Sequence, residues 1–316
     1  MISNSDRPPV LVLGGRGFVG AATVRRLLAA GAAVHVFGPP GPVPLPDGAG
    51  ETIGSIEDAP AVAALLSRLR SDVVVSLAAF SAGPIGLGRS GEADPERTLA
   101  VNVLGFHRML DACTGAGVRR VVWTSSTVVF GRDEAPGRRL DERAPRRPVS
   151  AYGLSKVLAE DVARYHRDRH GLETVALRLP LILGPGLWYD GAASVLKAMI
   201  AAAVAGATPA FDAPGIAFDA MHVADAADLI ATLAAAAPGL ADVYNVAGFT
   251  TGYPAIAAAL STLVPGYAPR LRLQTPDPAY PLVGQSALER ETGWRHRRDL
   301  RAVLADMLAE RRTMPP

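Results

Sequence analysis

Apolar runs of strand length alternate with amphipathic stretches through more than half of this chain, and no other feature constrains its fold as tightly. VLVLG (10–14) precedes a helical pattern from Phe18 to Ala30. AAVHVFG (32–38) leads through a proline-rich loop to a helical pattern over 60–70. DVVVSLAAF (72–80) precedes one over 94–116, and VRRVVWTSS (118–126) precedes one over 151–170. TVALRLPLIL (174–183) closes the series. Strands this uniformly apolar are buried on both faces, and helices between them make the connections parallel crossovers. The pattern predicts an α/β fold, a Rossmann-like doubly wound parallel sheet. After Gly184 it loosens into helices near 190–206, 223–236, 252–264 and 299–312, with short strands such as DVYNVAG between. Residues 1–180 are therefore expected to form a dinucleotide-binding domain, with segments near 217–250 returning to it. Residues 181–316 are expected to be mainly a smaller substrate-binding region lying over the carboxyl ends of the strands.

Composition narrows the function classes. The 316 residues are 49% hydrophobic with a net charge of +2, enough for a large core. Arginines come in scattered pairs (119–120, 138–139, 146–147, 311–312) rather than in a stripe, so nucleic acid is not an expected partner and each pair reads as solvated surface. The single cysteine, Cys113, reads as a core residue in a reducing, cytoplasmic setting. The opening MISNSDRPP is polar, and no apolar run approaches the ~18 residues of a spanning helix, so no membrane partner is expected. Only two of the 32 basic residues are lysines, Lys156 and Lys197. A lysine retained against that bias has a chemical reason to be one; Lys197 lacks such context and reads as solvated.

The first turn reads Gly14-Gly15-Arg16-Gly17-Phe18-Val19-Gly20, between a strand and a helix. Glycine lets a phosphate approach the backbone, and a helix amino-terminus offers unpaired N–H groups. NAD-binding versions place a carboxylate at the end of the second strand for the ribose 2′-OH. Here that strand ends Val36-Phe37-Gly38-Pro39-Pro40, with no acid. Arg16 then has two readings: a forked donor to the 2′-phosphate of NADP, or an exposed loop residue.

Tyr152 and Lys156 are four apart, on one face of a helix. A phenol of pKa ~10 carries protons poorly at neutral pH, and a neighbouring cation acidifies it. A phenol so tuned exchanges the proton of an alcohol as hydride moves. Upstream, Thr124-Ser125-Ser126-Thr127 ends the VVWTSS strand on its carboxyl side, where hydroxyls either orient a ligand or serve a turn.

GGRGFVG, DVVVSLAA, NVLGFHRMLDACTGAGVRRVVWTSSTVVFG, SAYGLSKVLAE, ALRLPLILGPG and DAMHVADAADLI occur in an order that resembles the extended short-chain dehydrogenase/reductase family, which includes nucleotide-sugar epimerases and dehydratases. The resemblance implies that Ser126 orients the substrate oxygen, Tyr152 is the general acid/base, and Lys156 is its partner and a ribose ligand. Gly14, Arg16, Gly17, Phe18, Val19, Gly20 and Gly38 would hold the cofactor on one side. Leu77, Ala78, Ala79, Asn102, Tyr152, Lys156 and Leu179 would hold it on the other. The implied cofactor is NAD or NADP, of which the missing acid and Arg16 point to NADP with NAD as the alternative, and the implied assembly is a homodimer pairing the tyrosine-bearing helix.

Departures bear on the substrate. Sugar-nucleotide members often read R-D-F-V-H-V, whose arginine grips a diphosphate; here Phe218 stands in that place, and Leu181 stands where an asparagine is common. A diphosphate buried without a cation is costly. Arg132, Arg138 or Arg139, in the charged segment 132–147, supplies the missing charge or is solvated; the segment itself is a lid or a plain loop. His166 and His170 share a helix face at metal-ligand spacing but read as a surface pair, without a metal. His222 reads as packing, and Trp188 and Tyr189 as either pocket wall or core. The expected function is an NAD(P)-dependent oxidoreductase acting on a small molecule, interconverting a secondary alcohol and a ketone. The alternative is a nucleotide-sugar epimerase, dehydratase or 4-ketoreductase. A non-catalytic NADP-sensing regulator is a third reading, opposed by the intact serine, tyrosine and lysine.

Overall fold

The computed structural model describes residues 8–132, 137–275 and 279–314. The polar opening up to residue 7 and residues 133–136 of the charged segment lie outside the described residues. Strands β1 (Val10–Leu13), β2 (Val34–Gly38), β3 (Ala49–Ile53), β4 (Val73–Ser76), β5 (Arg120–Ser126) and β6 (Glu173–Leu179) form one sheet with β10 (Val243–Asn245). The order is β10-β6-β5-β4-β1-β2-β3, every pair parallel. Sheet order reverses between β1 and β4, so the crevice opens at their carboxyl ends.

The helices are α1 (Phe18–Ala29), α2 (Ala59–Leu69), α3 (Leu87–Ala93), α4 (Pro95–Leu99), α5 (Phe106–Gly115) and α6 (Ala151–His170), then α7 (Ser194–Ala205), α8 (Val223–Ala235), α9 (Tyr253–Leu263), α10 (Ser286–Thr292) and α11 (Leu300–Thr313). Side chains alternate across the sheet. Val12, Val36, Val75 and Val122 pack with Val24 and Leu27 of α1 and Leu229, Ile230 and Leu233 of α8. Leu11, Leu13, Val74, Val121 and Trp123 pack on the other face with Leu65 of α2, Met109 and Leu110 of α5, and Ala159 and Ala163 of α6. Burial on both faces is why the strands read as unbroken apolar runs. Cys113 lies in this second layer.

Two expected elements are divided. Pro180 separates β6 from β7 (Leu181–Leu183), which joins β9 (Phe218–His222) and β11 (Phe249–Thr251) in a second sheet. Proline has no N–H for the ladder, and the chain changes sheets there. The expected helix over 94–116 is α4, a π-helical segment (Ala100–Gly105) and α5. β8 (Ala210–Pro214) and β12 (Arg270–Gln274) make a small parallel pair.

Arg120 corrects the reading of the arginine pairs as surface. It is fully buried, paired with Glu173 at 2.7 Å and donating to the carbonyls of Leu233, Ala236 and Ala237. It thus closes the carboxyl end of α8, whose last carbonyls lack helical partners. Among the described residues, no helix is long and apolar enough to cross a membrane.

Candidate active site

The glycine loop joins β1 to α1 at the crevice. Gly14 donates to Phe37 O at 3.0 Å, Leu77 donates to Leu13 O at 2.9 Å, and Gly17 donates to Gly14 O at 3.0 Å. Gly14 has φ +78°, and a Cβ there would lie 3.0 Å from backbone atoms of Leu77 and Ala78. A Cβ on Gly20 would lie 2.1 Å from Gly14 O, so glycine is what lets the helix sit this close to the loop. No side chain caps α1, which leaves its first N–H groups, those of Phe18, Val19 and Gly20, directed at the crevice. An uncapped 12-residue helix behind a glycine-rich loop fits a dinucleotide pyrophosphate.

Arg16 lies at the edge of this loop, and its guanidinium is already engaged. Nε and Nη2 donate to Glu51 at 2.5 and 2.8 Å, and Nη1 donates to Val43 O at 3.2 Å. Glu51 is on β3, opposite Val36 of β2. The sequence reading missed it, because nothing local links positions 35 apart.

Ser126 ends β5 opposite Leu179 of β6. Its hydroxyl lies beside the phenol of Tyr152, which enters from the first turn of α6. Burial pushes this phenol above its ordinary value, the nearby Tyr189 adds to that, and the Ser126 hydroxyl pulls the other way. Lys156 stands one turn further on, its Nζ 5.6 Å from the centre of the Tyr152 ring and donating to Thr124 O at 2.8 Å. Burial draws this ammonium down to about 8, opposed by Glu160. The sequence anticipated an acidified phenol; here the phenol is held protonated, because burial outweighs the one donor that reaches it.

Several positioning contacts escaped the sequence reading. Ser150 accepts from Gly153 N at 3.0 Å and Glu92 accepts from Ala151 N at 2.7 Å, fixing the start of α6 and with it Tyr152. Asn102 is buried; its Oδ1 accepts from Phe80 N at 2.8 Å and its Nδ2 donates to Ser155 Oγ at 3.0 Å. It ties the segment after β4, with Ala78 and Ala79, to the tyrosine helix. Ser125 donates to Glu160 Oε1 at 2.6 Å, holding the residue beside Ser126 against that helix.

The outer wall is aromatic. Tyr189 meets Phe18 edge-on at 6.1 Å and Trp188 at 5.5 Å, and the Trp188 indole N–H is buried without a partner among the described residues. Lys197 corrects its sequence reading: it is not simply solvated but donates to Tyr189 O at 3.0 Å and pairs with Asp190 at 2.9 Å, holding this wall. Arg139 reaches Asp219 at 3.4 Å, Val283 O at 2.6 Å and the Thr250 hydroxyl. His222 caps α8 through Ala224 N at 2.9 Å and meets Asp306 at 3.2 Å. His166 corrects the reading of a surface pair: it is fully buried. A cavity of about 590 Å³ lined by Ala236, Gly239 and Glu291, between the end of α8 and α10, includes none of the site residues.

A model of the NAD dependent epimerase/dehydratase family matches residues 10–247. Uronate dehydrogenase of Pseudomonas putida is 43% identical over 94 residues, which are 29% of this chain and 34% of that one. UDP-glucose 4-epimerase of Streptomyces lividans is 34% identical over 173 residues, 53% of this chain and 50% of that one. These matches thus span about a third to a half of the relatives' own lengths. The crystal structure of UDP-glucose 4-epimerase from Thermus thermophilus in complex with NAD has a TM-score of 0.81 and 26% identity, covering 96% of this chain and 99% of that one.

Proposed function

The chain belongs to the NAD dependent epimerase/dehydratase family, and from that premise we propose that it is an NAD(P)-dependent oxidoreductase interconverting a secondary alcohol and a ketone. The observation that carries the reading is the meeting of Ser126, Tyr152 and Lys156 beside the glycine loop. In this proposal residues 1–180 bind the dinucleotide and 181–316 mainly the substrate. Gly14, Gly17, Phe18, Val19 and Gly20 receive the pyrophosphate, and Gly38, Leu77, Ala78, Ala79, Asn102 and Leu179 flank the rest. When bound, the dinucleotide supplies or accepts the hydride at the carbinol carbon.

The chain's own residues manage the oxygen on that carbon. Ser126 and Tyr152, side by side, are placed to share a single substrate oxygen. Because burial keeps the phenol protonated, Tyr152 is set to give its proton to that oxygen in reduction and to take it back in oxidation. The Lys156 ammonium, one helical turn away, stabilises the phenolate left behind. Tyr189 and Trp188 screen the exchange from water.

NADP is the proposed cofactor because β2 ends without a carboxylate and Arg16 borders the loop. NAD is the second reading, favoured by Glu51, which already occupies the Arg16 fork. The assembly is proposed to be a cytoplasmic homodimer pairing α6, whose outer face exposes Leu154, Leu158 and Tyr165.

Initial rates of NADPH and NADH oxidation with ketones and aldehydes test the reading, alongside uronate oxidation. Tyr152→Phe should keep dinucleotide binding and lose about 100-fold or more in kcat. Full turnover by that variant, or failure of the wild type to bind either dinucleotide, would refute it. Conversion of UDP-glucose without net redox would move the assignment to the epimerase reading.

A further inference from the structure

On the outer face of α5 and α6, away from the crevice, the fold assembles a cluster that the proposed reaction does not use. His107 and Asp111 stand one turn apart on α5, and His166 comes from the last turns of α6. His107 Nδ1 and His166 Nε2 are 3.0 Å apart. Asp111 Oδ1 lies 3.7 Å from His166 Nε2, and its Oδ2 lies 3.4 Å from His107 Nε2. One donor atom from each of the three falls within 4.8 Å of the other two. His166 is fully buried, with Nε2 turned toward His107 and Nδ1 without a partner among the described residues. The ring of His170 stands 5.4 Å from that of His166.

Hydrogen bonding alone accounts for this arrangement poorly. The two imidazoles make one good contact, but both carboxylate approaches are longer than a hydrogen bond. A tetrahedral ion with ligand bonds of about 2.0–2.1 Å sets its donor atoms roughly 3.3 Å apart, between the 3.0 Å from His107 Nδ1 to His166 Nε2 and the 3.7 Å from His166 Nε2 to Asp111 Oδ1. Asp111 is the most exposed of the three and has the freedom to swing onto an ion held between the imidazoles.

The geometry points to a site for a divalent cation of the zinc type at His107, Asp111 and His166, bound by two imidazole nitrogens and one carboxylate oxygen, with His170 or water completing the tetrahedron. Mixed nitrogen and oxygen donors suit zinc, nickel or copper, whereas magnesium and calcium take oxygen ligands. Such an ion would clamp α5 to α6 on the face that also exposes Leu104, Leu158 and Tyr165.

The test is calorimetric titration of the chelator-treated full chain with Zn²⁺, with Mg²⁺ as control, and thermal unfolding with and without zinc. One zinc per chain is expected at micromolar concentration, with a raised unfolding temperature. Asp111→Asn and His107→Ala should each weaken binding at least about 10-fold and abolish that rise. Tyr152→Phe should bind zinc as the wild type does, which separates this site from the proposed active site. Absence of stoichiometric binding, equal response to Mg²⁺, or zinc affinity unchanged in both ligand variants would overturn the inference.

Discussion

Replacing Glu160 by leucine probes what holds Ser126 and Tyr152 in register. Glu160 is 3% exposed, in the middle of α6. Its Oε1 accepts from Ser125 Oγ at 2.6 Å and Arg178 Nε at 2.9 Å. Its Oε2 accepts from Arg178 Nη2 at 2.7 Å and Arg146 Nη1 at 3.2 Å. Arg178, on β6 and 2% exposed, would lose both bonds to the carboxylate while staying buried. Removing one partner of a buried pair costs about 3–5 kcal/mol, chiefly for the charge left behind. Arg178 would keep Glu142 O at 3.0 Å and the Phe130 ring at 4.9 Å, which places the loss at the lower end of that range.

At about 2 cal/mol/K per residue, 316 residues unfolding as one unit give an unfolding entropy near 0.7 kcal/mol/K. A loss of about 3 kcal/mol then lowers Tm by about 4–5 °C. Differential scanning calorimetry reads this directly. The double variant Glu160→Leu/Arg178→Leu should recover part of the loss, because no unpaired charge remains. A single variant within about 1 °C of wild type, or a double variant showing the full sum of both singles, would refute the reasoning.

Two further outcomes follow from the site. For carbonyl reduction, kcat/KM should decline as pH rises through about 8, because Lys156 is charged below that value and loses its proton above it. Lys156→Arg should move the decline to higher pH, and a profile flat well past that point would contradict the role given to the ammonium. Glu51→Gln should tighten NADPH binding relative to NADH by releasing the Arg16 fork, and Arg16→Ala should do the opposite; fluorescence titrations showing the same ratio in both variants would remove Arg16 from cofactor selection.

Placement carried by short spacings was legible in the sequence. The glycine turn, the Tyr152–Lys156 helical pair and the hydroxyl at the end of β5 all follow from local periodicity. What the sequence hid depends on pairings far along the chain. Glu51 finds Arg16 across 35 positions, Asn102 finds Ser155 across 53, and His107 finds His166 across 59. Such meetings are set by sheet order and helix packing, which no local pattern encodes. Charged residues were misread for the same reason. Arg120 reads as surface until Glu173 and three carbonyls from 233–237 are seen to surround it. The phenol of Tyr152 was judged by its cationic neighbour, although burial, visible only in the fold, decides its protonation.

The corner around Phe218 bears on the choice between a simple alcohol and a sugar nucleotide. Phe218 packs its ring 5.8 Å from that of Tyr253, in the place where the resemblance puts the arginine often carried by sugar-nucleotide members. The nearby guanidinium of Arg139 meets Asp219, the residue after Phe218. Asp219 is itself buried and also accepts from Val283 N at 2.9 Å and the Thr250 hydroxyl at 2.7 Å. The charge of Arg139 is therefore matched by a carboxylate fixed at three points. A diphosphate arriving here would have to draw Arg139 away and leave a buried carboxylate without its cation, which is unfavourable. A ligand with hydroxyl groups meets no such penalty, since this corner is electrically balanced before it arrives. Under the proposed reading this balance would favour an uncharged or singly charged substrate, and Arg139→Gln separates the cases. If the guanidinium is purely structural, the variant loses stability while KM for the alcohol holds; a KM that rises steeply for a phosphorylated substrate would show that Arg139 leaves Asp219 to bind it.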